Sequence, residues 1–92
     1  MLPEKFKQKY DDFSKSVRGN DILDPKTTLL IYIASSMAVG CYHWLEHFLG
    51  VAREKGISDE ELGVVEAIVM AVSGGRVRAQ FQAVQGKMNN KE

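Results

Sequence analysis

Nineteen consecutive residues, Thr27 to Leu45, carry no formal charge. A run of that length either crosses a bilayer or is buried in protein. Thr27, Thr28, Ser35, Ser36 and His43 lie within it, and Gly40 interrupts it. Those polar groups and that break fit two buried helices of a water-soluble domain better than one membrane span. The N-terminal segment carries Glu4, Lys5, Lys7 and Lys9 and so has no apolar core of the kind an export signal needs. No membrane partner is expected.

Caps and periodicity around this run predict an all-α chain. Phe6, Tyr10, Phe13 and Val17 fall at i, i+4, i+7 and i+11, one stripe of an amphipathic helix over 3–18, ended by Gly19-Asn20. Asp24-Pro25 is an N-cap followed by proline at the first helical position, opening a helix over 25–39. Its apolar residues cover nearly the whole circumference, which predicts burial on most sides, partly by another subunit. Gly40 marks a break. A third helix over 41–55 places Cys41, Leu45, Phe48 and Ala52 on one side and stops at Gly56. Ser58 with Glu61 three residues later reads as a capping box for a fourth helix, 59–72. Ser73-Gly74-Gly75 reads as a turn. A fifth helix, 76–88, repeats the first spacing with Val77, Phe81, Val84 and Met88, and the tail 89–92 is expected to fray. The expectation is a compact bundle of about five helices in a single domain, 1–92.

Composition narrows the function classes. Twelve Lys and Arg balance twelve Asp and Glu, which argues against a nucleic-acid binder that works by neutralising phosphates. The single cysteine excludes an internal disulfide and a cysteine-built zinc site within one chain, and it suits a reducing, cytoplasmic setting.

Leu23-Asp24-Pro25-Lys26-Thr27, then Gly40-Cys41, Ala52, Gly56, Ser58-Asp59-Glu60-Glu61 and Gly74-Gly75 stand in an order and spacing that resembles the carboxymuconolactone decarboxylase and alkylhydroperoxidase-D-like family. The resemblance covers about residues 23–81. It implies an all-α fold assembled into homo-oligomers, trimers or hexamers. Redox-active members carry a Cys-x-x-Cys pair, a histidine seven residues after the first cysteine and an acid about twelve before it. On this chain Cys41 keeps the first position, while Trp44, Phe48 and Leu29 stand where the second cysteine, the histidine and the acid would be. A dithiol cycle is therefore impossible within one chain. Ring-opening lactone decarboxylation, which the family name suggests, needs acid–base and anion-binding groups that the sequence does not assemble.

The candidate residues follow. Cys41 at a helix N-terminus is the candidate nucleophile: the thiolate is favoured there, and a one-cysteine peroxidase cycle would need an external thiol reductant. The competing reading is a buried structural thiol in a catalytically degenerate member that serves as an oligomeric binding or scaffold module. Trp44 and Phe48 share the Cys41 face of an ideal helix and are candidates to line an apolar pocket. His43 is a candidate catalytic group, though a straight helix turns it away from Cys41. Glu66, inside an apolar helix, is a candidate proton carrier. His43-Trp44-Leu45-Glu46-His47 matches the H-x-x-E-H pattern of inverted zinc proteases, but a third ligand and a cleft are missing. No resident metal or cofactor is expected; His43 and His47 are the pair that would hold an adventitious or intersubunit ion.

Overall fold

Asp24 closes the start of the central helix through its own carboxylate. Its Oδ1 accepts the Thr27 N–H at 2.8 Å and its Oδ2 accepts the Thr27 hydroxyl at 2.7 Å. The Thr27 backbone N–H, followed by its hydroxyl, holds the Asp24 carboxyl below the usual carboxylate range. In the computed structural model, which describes residues 1–89, the helix that follows, α2, spans Pro25–Val39. Before it lies α1 (Glu4–Arg18); after it come α3 (Tyr42–Glu54) and α4 (Asp59–Asn89). Among the described residues there is no strand, and no helix is long and apolar enough to cross a membrane. The expected tail beyond Asn89 lies outside the described residues.

Two glycines end helices in the left-handed conformation. Gly40 has φ 75° and Gly56 has φ 79°. After α2 the Cys41 N–H donates to the Ser36 carbonyl at 2.8 Å and the Gly40 N–H to the Met37 carbonyl at 3.2 Å. After α3 the Ile57 and Gly56 N–H groups reach the Ala52 and Arg53 carbonyls in the same way, at 3.0 and 3.1 Å. Both are Schellman closures, which satisfy the last carbonyls of a helix and need a residue free of a Cβ penalty at positive φ. The capping box also forms: the Glu61 N–H donates to Ser58 Oγ, and the Ser58 N–H donates to Glu61 Oε2, both at 3.1 Å. Glu61 Oε1 pairs with Lys26 Nζ at 2.6 Å, tying the start of α4 to the start of α2. The Lys26 hydrogen bond, then the Ser58 N–H, keeps the Glu61 carboxyl below its usual range.

The core is small. Leu29 and Ile33 of α2 meet Phe48 and Ala52 of α3, with Ile57 and Leu62 closing the end near α4. The expected burial of α2 on most sides is corrected: Leu29, Ile33 and Ser36 are its buried residues, while Ile31 and Val39 are exposed. Leu30, Tyr32 and Met37 are half-buried against the same core, and the exposed face of α2 carries Ile31, Ser35, Ala38 and Val39.

The helix count is also corrected, from five to four among the described residues. Ser73-Gly74-Gly75 is helical, and α4 runs for 31 residues without a turn. Glycine costs a helix interior about 1 kcal/mol relative to alanine, which weakens but does not forbid the helix when the flanking turns continue it. The apolar stripe shifts across this point. On an ideal helix the Val77, Phe81, Val84, Met88 stripe lies about 110° around the axis from the Leu62, Val65, Val69, Val72 stripe. The second stripe therefore cannot pack on α2. A Gly74→Ala, Gly75→Ala double substitution is expected to raise the urea midpoint by an amount worth about 1–2 kcal/mol, since no heavy atom lies within 4 Å of either added Cβ. Destabilisation instead would mean that the two glycines form a turn.

The result is an open molecule. Its radius of gyration is 18.3 Å, against about 12 Å for a compact domain of this length. Two arms account for the difference. α1 buries no residue, and its stripe of Phe6, Tyr10, Phe13 and Val17 is exposed. The second half of α4 projects with Val77, Phe81, Val84 and Met88 exposed.

Candidate functional site

Cys41 sits where α2 ends and α3 begins. The Schellman closure fixes its backbone through Ser36, and Cys41 itself is the N-cap residue of α3, with extended φ −96° and ψ 90°. Its side chain makes no capping hydrogen bond, and the residue is half-buried. The third helix thus starts one residue later than expected, and the thiol stands at its entrance.

A cavity of about 390 Å³ opens beside this thiol. Ser35, Ser36 and Val39 of α2 line it with Tyr32, and Trp44 contributes from the first turn of α3. The remaining wall comes from α1: Tyr10, Ser14 and Arg18. Asn20 sets the angle at which α1 arrives. Its Oδ1 accepts the Ile22 and Leu23 N–H groups, while its Nδ2 donates to the Val17 carbonyl at 2.9 Å and to Thr28 Oγ1 at 3.3 Å. Arg18 Nη1 then donates to Ser14 Oγ at 2.9 Å, and the guanidinium lies 5.5 Å from the centre of the Trp44 ring. That cation–π contact bridges α1 to α3.

The aromatic residues form a short ladder on α3. Trp44 and Phe48 stack with centroids 5.3 Å apart and planes 16° from parallel. Phe48 is buried against Tyr32, centroids 4.9 Å apart. Trp44 lines the Cys41 cavity; Phe48 lines a neighbouring one of about 150 Å³, which shares Arg18 and Tyr32. Leu29, at the family's acidic position, is buried in the core.

The other candidate residues are not brought to the thiol. The His43 and His47 rings meet Trp44 edge-on, at 5.6 and 5.9 Å between centroids, and both residues are exposed. Neither lines the Cys41 cavity. Among the described residues no three His, Cys, Asp or Glu side chains converge as a metal site. Glu66 is exposed on α4 and lines a different cavity with Arg53 and Asp59.

Ser14 and Arg18 escaped the sequence reading, and Tyr10 entered it only as part of the apolar stripe. The three recur at i, i+4 and i+8, so they share one face of α1. Beside the apolar stripe this polar-tipped one carries no local signal that links it to Cys41. Among the described residues the cavity is therefore lined by a thiol, several hydroxyls and one positive charge, with no carboxylate or imidazole to move a proton.

Comparison with known proteins agrees with this fold. A crystal structure of a protein from Methanobacterium thermoautotrophicum, solved as a structural-genomics target, is similar with a TM-score of 0.79 at 29% identity, covering 90% of this chain and 94% of that one. No curated protein matches this sequence. The carboxymuconolactone decarboxylase family model matches residues 4–86, a span that takes in the thiol, both glycine closures, the capping box and all of α1, and the chain belongs to that family.

Proposed function

We propose that the protein is a homo-oligomer carrying out one-cysteine thiol peroxidase chemistry at Cys41. The observation that carries this reading is the half-buried thiol at the N-cap of α3, on the wall of a cavity large enough for an organic peroxide. The Cys41 thiolate attacks the terminal oxygen of a hydroperoxide. The S–O bond forms, the O–O bond breaks, and the departing alkoxide takes up a proton to leave as an alcohol. Cys41 is then a sulfenic acid. An external thiol converts it to a mixed disulfide with loss of water, and a second thiol restores Cys41 and leaves as a disulfide. A reducing compartment such as the cytoplasm supplies such thiols.

Assembly into a trimer or hexamer is supported by the two arms. An isolated helix of about 16 residues, as in the second half of α4, is marginal in water, more so with exposed Val, Phe and Met side chains and internal glycines. A second copy covering these stripes supplies what the single chain lacks. One further reading has an observation behind it. Among the described residues the cavity has no second thiol, histidine or carboxylate in its lining, which favours an oligomeric binding or scaffold module with an inert Cys41.

The two readings separate in one experiment. Dilute hydrogen peroxide is added to the native protein and sulfenic acid is followed by intact mass, with Cys41→Ser as the blank. Oxidation at least about tenfold faster than in the urea-unfolded chain supports the peroxidase. An equal or slower rate leaves the scaffold reading.

A further inference from the structure

Arg18 is the residue at the Cys41 cavity that thiol oxidation alone does not require. It is half-buried and makes no ion pair among the described residues. Its only side-chain hydrogen bond there goes to neutral Ser14 Oγ, although a guanidinium carries five donors. Its guanidinium carbon lies 5.5 Å from the centre of the Trp44 ring, a cation–π contact that anchors it beside the cavity. Among the described residues no Asp or Glu lines the cavity, so none of them supplies a counter-charge within it. Val39, Tyr10, Tyr32 and Trp44 also line the cavity and offer apolar and aromatic surface. A preorganised guanidinium beside such a surface fits a carboxylate attached to an apolar body: the head gains charge-assisted hydrogen bonds while the body leaves water.

We propose that Arg18 is an anion-recognition residue of this cavity, and that the substrates of Cys41 are organic hydroperoxides carrying a carboxylate on an apolar body. This rests on the reading of Cys41 as the nucleophile. The bond changes are those written above. Arg18 takes no part in them; it holds the carboxylate and so places the peroxide oxygen at the sulfur.

A matched pair of oxidants tests it: cumene hydroperoxide and its para-carboxylate. In the wild-type protein the carboxylate is expected to oxidise Cys41 about tenfold faster, the effect of one charge-assisted contact in a half-open site. In Arg18→Gln the ratio of the two rates falls to about one, and Arg18→Lys keeps part of the preference, which loss of packing on Trp44 alone does not produce. Equal rates in the wild type, or a preference that survives Arg18→Gln, overturns the proposal. A second measurement does not depend on thiol chemistry. Trp44, the single tryptophan, reports fluorescence while Cys41→Ser protein is titrated with 4-isopropylbenzoate or its methyl ester. Tighter binding of the acid, lost on adding Arg18→Gln, upholds the anion site even where Cys41 proves inert to every peroxide, the outcome that removes the peroxidase reading. Equal binding of acid and ester overturns the site itself.

Discussion

Phe81→Glu is expected to release single chains from the homo-oligomer proposed above. Phe81 lies in the middle of the exposed stripe Val77, Phe81, Val84, Met88, on a part of α4 with no partner among the described residues. Covering a phenylalanine contributes about 2–3 kcal/mol, and placing a carboxylate at the same point adds a desolvation cost. A loss of about 3 kcal/mol at each contact weakens it about a hundredfold. Sedimentation equilibrium reads the outcome directly, with Gln82→Glu, which lies off the stripe, as control. Circular dichroism should also show lost helix, because the projecting end of α4 is marginal by itself. A wild-type chain that sediments as a monomer, or a Phe81→Glu chain that assembles unchanged, removes the homo-oligomer from the proposed function.

The second large effect is expected at Ile33. It is 1% exposed and sits in the small cluster with Leu29, Phe48, Ala52, Ile57 and Leu62. Ile33→Ala removes buried methyl groups and leaves a cavity, a change worth about 2–5 kcal/mol. Whole domains are stable by only about 5–15 kcal/mol, and this core is small. Urea unfolding at fixed protein concentration, which holds any assembly constant, measures it. Ile31→Ala is the comparison: the same residue type two positions away on the same helix, half exposed, with an expected cost below about 1 kcal/mol within the single chain. Equal losses at the two positions would mean that a partner covers Ile31 as thoroughly as the chain covers Ile33.

That pair shows where sequence reasoning stops. Ile31 and Ile33 are both apolar residues in a helix apolar all round, and periodicity had no polar face with which to orient it. Only the packing of α3 and α4 against one side of α2 separates them. The Ser73-Gly74-Gly75 segment is similar. Glycine content argued for a turn, but the preference is about 1 kcal/mol per residue, small enough for the surrounding helix to override.

By itself the sequence determined the ends of the central helices and the family. Asp24, Gly40, Gly56 and the Ser58–Glu61 pair act on groups within five residues of themselves, so the chemistry that starts or stops each helix is written locally. The order of these same signals carries the resemblance over about residues 23–81, and the family model matches residues 4–86. The tertiary structure alone decided that α4 is continuous, that two apolar stripes are left without partners, and that Arg18 lies with Cys41 around one cavity. The last two depend on the angles at which the helices pack. An angle between elements is a property of packing at long range, and no short stretch of sequence contains it.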